Sequence, residues 1–169
     1  MILAKNIILK EIKLGRIKIK PFNIKNLGPA SYDLTLDNKF RIFKKKKGIC
    51  HIRNTAKYEK ITRVITIKDY YILKPGETIH GITKERITLP ENICGWLQGR
   101  SRFARFGLMV HITASFVQPG VNNRQVLELN NASNSTLAIH PNTKIAQIIF
   151  ERCEGKAKYK GRFRKQEKP

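Results

Sequence analysis

Apolar and polar positions change period several times along this chain, and each change marks an element. Ile2, Leu3, Ile7, Ile8, Ile12 and Leu14 recur at roughly helical spacing over residues 1–15, and Gly15 closes the run. From Arg16 to Lys20 the period drops to two, Ile17 and Ile19 alternating with basic residues, which predicts a short half-buried strand. Pro21 and the Asn-Leu-Gly-Pro run at 26–29 break that pattern. Over residues 30–43, Tyr32, Leu34, Leu36, Phe40 and Ile42 alternate with polar residues, predicting strand with a turn at Asp37-Asn38. Lys44 to Lys47 and Gly48 read as the charged tip of a hairpin, and residues 49–67 carry only a weak signal for one or two edge strands. Strand is then expected over 70–73, 78–83 and 87–89, with turns at Lys-Pro-Gly-Glu (74–77) and Pro90-Glu91-Asn92, and an apolar stretch holding Cys94, Trp96 and Leu97. Phe103 to Phe106 suits a turn or two of helix, and strands over 108–113, 125–130, 136–139 and 145–150 complete the series. Many short strands, frequent turns and one N-terminal helix predict a mainly β domain of barrel or jelly-roll type. That domain spans residues 1–155. The tail, 156–169, is strongly basic with almost no aliphatic residues, and reads as flexible in isolation but able to order over a ligand or a neighbouring subunit.

Composition narrows the setting. A chain of 169 residues with 41% hydrophobic content supports one domain with a real core. No apolar run approaches the ~20 residues of a membrane helix, and Met-Ile-Leu-Ala-Lys-Asn at the start has no signal-peptide pattern, so a cytoplasmic protein with no membrane partner is expected. Cys50, Cys94 and Cys153 are odd in number and widely spaced, without any C-x-x-C, and read as reduced thiols rather than as a disulfide framework or a zinc site. The net charge of +22, from 34 basic and 12 acidic residues, favours polyanionic ligands. Lys is spread along the chain, however, as a merely solvated basic surface would also have it. Charge alone therefore fits a nucleic-acid binder and an enzyme with a triphosphate substrate equally.

The stretch from Gly99 to Glu128 carries the candidate chemistry. It opens with Gly-Arg-Ser-Arg-Phe-Ala-Arg-Phe-Gly (99–107), a basic, glycine-flanked loop suited to phosphate. Near its end, alternation over 125–130 puts Leu127 and Leu129 on one face and Val126, Glu128 and Asn130 on the other. A glutamate on a partly buried strand face must be paired or shifted in pKa, so Glu128 is either a structural ion-pair partner or a general base. Ser101 and Arg105 sit four apart; they read as a loop cap and a surface charge, or as helpers of Glu128, the arginine holding it ionised and the hydroxyl placing a water. Arg100 and Arg102 make sense as phosphate contacts, or singly as solvated charges. His111 and Thr113 share one predicted strand and join the nucleotide-facing candidates, although a packed core or interface histidine also fits His111.

Pro-Ala-Ser-Tyr-Asp-Leu-Thr-Leu (29–36), Thr-Leu-Pro-Glu (88–91), Gly-Trp-Leu-Gln-Gly-Arg-Ser (95–101), Ala-Arg-Phe-Gly-Leu-Met-Val-His-Ile-Thr-Ala (104–114), Pro119-Gly120 and Leu-Glu-Leu (127–129) stand in an order and spacing that resemble the deoxycytidine triphosphate (dCTP) deaminases, relatives of the trimeric dUTPases. The resemblance covers most of the chain. It implies a distorted β-barrel or jelly roll of the dUTPase-like type, assembled as a homotrimer with active sites between subunits. The substrate implied is dCTP as its magnesium complex, with dUTP or dTTP as further ligands, and the reaction is hydrolytic deamination toward dUMP and dTTP synthesis. Carried over residue by residue, the general base falls on Glu128, its helpers on Ser101 and Arg105, and a water-holding backbone carbonyl on Ala114. Arg100, Arg102 and the tail lysine Lys158 fall at the triphosphate. No zinc is implied: His80 is followed by Gly-Ile, not by x-Glu, and no cysteine pair suits the H-x-E…P-C-x-x-C pattern of zinc deaminases. Nucleic acid is not expected as the partner.

Three positions depart from the family's pattern. Gln118 stands where most relatives have the aspartate that activates water for attack on phosphorus, and glutamine cannot act as a general base. Arg102 replaces a common serine. The tail is shortened between Glu154 and Lys158, so the glutamine near the cytosine amino group is replaced by Arg162, unless Gln166 reaches in. Glu128 favours deamination and Gln118 disfavours the alternative of a dUTP diphosphatase; a non-catalytic nucleotide or nucleic-acid binder on the same fold is the third reading.

Overall fold

The isoleucine-rich start of the chain folds as helix α1 (Lys5–Lys13). It is shorter than the 1–15 span its periodicity predicts. Ile2 forms a β-bridge with Glu151 and the Leu3 amide donates to the Phe150 carbonyl at 2.9 Å, so the first residues are drawn out as extended chain. The computed structural model of the protein describes residues 1–45, 47–164 and 166–169; Lys46 of the charged tip and Lys165 of the tail lie outside the described residues.

Eleven strands follow among the described residues: β1 (Lys18–Lys20), β2 (Ser31–Phe43), β3 (Thr62–Thr66), β4 (Tyr71–Leu73), β5 (Thr78–Thr88), β6 (Ile93–Gly99), β7 (Leu108–Met109), β8 (Phe116–Val117), β9 (Asn122–Asn131), β10 (Leu137–Ile139) and β11 (Lys144–Arg152), with a single helical turn α2 (Ser101–Ala104) after β6. The main sheet runs β7-β9-β5-β2-β11-β6-β8, with β1 added to β5 and β3 to β2, while β4 and β10 pair separately. Every pairing is antiparallel.

Two long strands bend the sheet. Residues 31–35 of β2 pair with β11, and residues 36–43 pair with β5 and β3, the register shifting between Leu36 and Phe40. The turn expected at Asp37-Asn38 is therefore a bulge inside one strand. The Asp37 carboxylate accepts from the Arg124 guanidinium and, at 2.8 Å, from the Asn38 amide, which satisfies the polar groups a bulge leaves unpaired. Likewise β5 is one strand where two were expected over 78–83 and 87–89. Its register against β9 shifts between Ile82 and Arg86, and Thr83 fills the gap by donating to the Glu85 carbonyl (2.8 Å) and accepting from the Gln125 amide (3.0 Å). Bulges increase twist locally, and here they curl the sheet into a half-barrel.

The concave side holds the core. Tyr32, Leu34, Leu36, Phe40, Ile79, Leu127, Leu129, Ile148 and Phe150 are fully buried, all from β2, β5, β9 and β11. A leucine or isoleucine buried this way stabilises the fold by roughly 1.5–3 kcal/mol. Helix α1 packs Ile8 against this core and also buries Glu11, whose carboxylate accepts from Arg16 and, at 3.0 Å, from Arg152 on β11. No helix among the described residues is long and apolar enough to cross a membrane.

Candidate active site

Strand β9 alternates as its sequence predicts: Leu127, Leu129 and Asn131 point into the core, while Val126, Glu128 and Asn130 face the other way, half-buried. The strand expected over 108–113 stops at Met109 for a reason that bears on Glu128. Beyond Met109 the backbone amides leave the ladder and turn toward this carboxylate. Oε2 accepts from the amides of Ile112 (2.7 Å) and Thr113 (2.6 Å), with Ala114 at 3.4 Å, and Oε1 accepts from the Thr113 hydroxyl at 2.9 Å. Burial pushes the Glu128 pKa up, but the amides of Thr113 and Ile112, the Thr113 hydroxyl and the Ala114 amide outweigh it and hold the carboxyl below its usual range. The group is a fixed, ionised carboxylate. Among the described residues no ion pair joins it to Arg105, which is exposed. Within one chain, amides do what the arginine was expected to do.

Glu128 lines a cavity of about 490 Å³ together with Ala114, Gln118, Gln125, His80, Phe116 and residues of the tail. The tail closes this cavity in its own chain. Its backbone is tied down by Tyr159 N to Pro119 O at 3.0 Å and by Arg124 N to Gln166 O at 3.2 Å. The Asn123 amide group donates to Phe163 O at 2.8 Å, and Gln166 Nε2 donates to Arg124 O at 3.2 Å. Tyr159 packs against the hydrophobic core. Flexibility in isolation was expected from composition; two aromatic side chains and these backbone bonds suffice to dock the segment. Of the two tail residues considered for the cytosine amino group, Gln166 lines the cavity, while Arg162 lies outside it, paired with Glu59 at 3.4 Å and over the Tyr58 ring at 5.7 Å.

The cationic candidates lie elsewhere in the chain. Arg100 follows β6 with its guanidinium on Asp33 (3.1 Å) and on the Lys144 carbonyl (2.7 Å), so Asp33 of the first sequence motif orients the basic loop. Gln147 supports the same turn, accepting from Ser31 at 2.7 Å and donating to the Gly99 carbonyl at 3.1 Å. Ser101 and Arg102 begin α2 and are exposed, as is Arg105 just after it. Lys158 lies over Gly120, 3.7 Å from Glu91, in a separate cavity of about 630 Å³ shared with Arg86 and Arg164. His111 is half-buried, and its Nδ1 has no hydrogen-bond partner among the described residues. Thus one chain gathers Glu128, Thr113, Ala114, Gln118 and Gln166, and leaves Arg100, Ser101, Arg102, Arg105 and Lys158 outside that cavity. Exposed apolar side chains stand beside both groups: Trp96, Phe106, Met109, Ile112 and Phe116.

A family model described as dCTP deaminase-like matches residues 2–153. The chain belongs to the dCTP deaminase-like family. Relatives named dCTP deaminase, dUMP-forming, include one from Nocardioides sp., 36% identical over 178 aligned positions that take in 100% of this chain and 93% of the relative, and one from Corynebacterium kroppenstedtii, 38% identical over 152 positions, 89% and 81% of the two chains. Among solved structures, a 2′-deoxycytidine 5′-triphosphate deaminase from Agrobacterium tumefaciens superposes with a TM-score of 0.70 at 18% identity, over 90% of this chain. That match takes in 48% of the Agrobacterium chain, so this protein spans about half its length. A dUTPase from phage phi11 of Staphylococcus aureus superposes with a TM-score of 0.51 at 13% identity, over 86% of this chain and 96% of the other. The two superpositions establish the dUTPase-like fold.

Sequence reasoning missed several residues of this cavity. His80, Asn123, Gln125 and Tyr58 line it. The available signal was polarity at strand positions that share the phase of a half-buried face, as at Thr78 and His80. Nothing local tied that phase to Glu128, because the β5–β9 register is a long-range pairing.

Proposed function

We propose that this protein deaminates dCTP hydrolytically, with Glu128 as the general base and without zinc. The observation that carries the reading is the Glu128 carboxylate, held ionised by the 112–114 amides at the wall of a cavity large enough for a pyrimidine nucleoside. A water held by the Ala114 carbonyl loses a proton to Glu128 as its oxygen bonds to C4 of the cytosine. The same proton then passes to the amino nitrogen, the C4–N bond breaks, ammonia leaves, and the second water proton moves from the C4 hydroxyl to N3 to give uracil. Thr113 keeps the carboxylate in place throughout. Gln166 and Gln118 offer amides to the base or sugar.

The phosphate-binding half comes from a second copy in a homotrimer. A site whose base and whose cations lie apart in one chain is completed when a neighbour's Arg100, Ser101, Arg102 and Arg105 meet this cavity, and the exposed Trp96, Phe116, Ile112 and Phe106 supply apolar surface for that contact. His111, with an unpartnered Nδ1, and Lys158, above Gly120, then lie at the nucleotide or the interface. Magnesium enters with the triphosphate as part of the substrate. A dCTP substrate places the enzyme in the cytoplasm.

The product released is dUTP. By the family resemblance the base for hydrolysis at phosphorus would stand at position 118, and the Gln118 amide has no proton affinity at neutral pH. The relatives' names favour a second reading, in which the same protein carries dCTP through to dUMP. Incubation with dCTP and Mg²⁺, with ammonia and pyrophosphate measured separately, distinguishes them: ammonia alone is expected, and equimolar pyrophosphate establishes the dUMP-forming reaction. Pyrophosphate from dUTP with no ammonia from dCTP overturns the deaminase reading altogether. Glu128→Gln is expected to lower turnover by about 10²–10⁴-fold with dCTP binding retained.

A further inference from the structure

His80 stands directly opposite Glu128 in the β5–β9 ladder, and Arg41 stands directly opposite His80 in the β2–β5 ladder. Arg41, His80 and Glu128 thus occupy one row of register partners across three neighbouring strands. Directly opposed residues of an antiparallel pair have Cβ atoms about 4.5–5.5 Å apart, and His80 and Glu128 line the same cavity. The row is held at its far end, where the buried Arg41 donates to the Pro169 oxygen of the tail (2.5 Å) and to Thr62 Oγ1 (2.9 Å) and stacks on Tyr58 at 4.9 Å. The imidazole itself packs edge-on against Phe43, with ring centroids 5.5 Å apart. Tyr58, Gln166 and Pro169 form the cavity wall around it, with Arg162 beyond Tyr58 neutralised by Glu59. Among the described residues the charged side chains that act on His80 are Glu128 on one side and Arg41 on the other. Burial lowers its pKa first, Glu128 raises it and Arg41 lowers it again; the net position is below 6.5, a neutral ring at neutral pH.

This matters because Glu128 alone is a poor proton store. Four hydrogen-bond donors stabilise its ionised form, so a proton taken from water is held weakly. Acid–base efficiency is greatest when proton affinity lies near the working pH. An imidazole meets that condition better than a carboxylate held this way. We propose that His80 is a positioning residue for the Glu128 base, a neutral imidazole that shares the proton Glu128 takes from water and sets the acid limb of the reaction. The inference rests on the deaminase reading above. The water O–H bond breaks and its proton goes to Glu128 and is shared with the imidazole as the C4–O bond forms. It returns through Glu128 to the amino nitrogen as the C4–N bond breaks. Ammonia leaves, and both groups regain their starting charge.

The test combines pH–rate profiles with a titration that needs no activity. His80→Gln is expected to lower kcat by about 10²-fold, to leave KM for dCTP essentially unchanged, and to move the acid limb of kcat to lower pH, because Glu128 then titrates alone. In ¹H–¹⁵N spectra of the histidine rings, the His80 midpoint is expected to fall in Glu128→Gln, which removes the carboxylate that supports the imidazolium. An unchanged kcat and acid limb in His80→Gln overturns the inference, and so does a His80 midpoint that ignores Glu128→Gln. If His80→Gln does not fold, the ring titration decides alone. The two readings fail differently. Full turnover in Glu128→Gln sinks the assigned base, whereas an inactive Glu128→Gln beside a normal His80→Gln sinks only the role of His80.

Discussion

Replacing Glu11 by glutamine is a quantitative test of what fastens helix α1 to the sheet. The side chain is 2% exposed and lies between Arg16, which donates to both carboxylate oxygens, and Arg152 of β11, 3.0 Å away. The hydrogen bond from Arg16 is the largest influence on its pKa; burial opposes it, and Arg152 adds to it, so the carboxyl is held down at about 2 against an ordinary 4.5. From 4.5 to about 2, the ionised carboxylate contributes about 3 kcal/mol of stability. The folded pKa is depressed, so the contribution is complete above the unfolded value of 4.5 and is lost as pH falls through about 2. Linkage leaves about 1 kcal/mol of it at pH 3. Glu11→Gln keeps the shape and removes the charge. Arg16 and Arg152 are 46% and 36% exposed and regain water, so the loss should match the carboxylate's contribution rather than exceed it. Urea midpoints at pH 7, 5, 4 and 3 for both proteins measure this, with the slopes expected to agree. The gap should be about 3 kcal/mol at pH 7, roughly 6–12 °C in Tm, and should narrow to about 1 kcal/mol at pH 3. A gap under about 1 kcal/mol at pH 7, or one that is the same at pH 3, refutes the reasoning, because a buried ionised carboxylate cannot behave in either way.

Two further outcomes are expected. Gly107 ends the basic loop at φ 75°, where an added Cβ would lie 2.7 Å from Ser133 Cβ and 2.9 Å from its backbone nitrogen. Gly107→Ala should therefore cost about 2–4 kcal/mol of stability by urea denaturation, and a loss under about 1 kcal/mol would show that the 131–135 turn yields freely. Gln118→Asp restores a carboxylate at the rim of the Glu128 cavity; pyrophosphate released per ammonia should rise well above the parent's value, and an unchanged ratio would show that position 118 does not control attack on phosphorus.

Local pattern carried a large part of this molecule. The alternation of Val126 to Asn130 placed Glu128 on the half-buried face, and the glycine-flanked arginines marked a cationic loop before any contact was known. It misled where polar residues serve a distant partner. Asp37-Asn38 has the composition of a turn, yet Asp37 is held by Arg124 on β9 and the strand runs through. Residues 110–113 have strand composition, yet their amides serve Glu128 rather than a ladder. The tail has the composition of a disordered segment, yet Tyr159, Phe163 and Gln166 find places along 119–124.

Sequence by itself determined the family, the mainly β architecture with its N-terminal helix, and the carboxylate on which the proposed chemistry turns, because period-two alternation and ordered motifs are properties of neighbouring residues. Tertiary structure alone decided how Glu128 stays ionised, which tail residues line its cavity, that His80 and Arg41 stand in its row, and that the arginine loop lies apart from it within one chain. Each of these depends on strand register and on contacts between residues far apart in sequence, and a change of one residue in register would reverse every face.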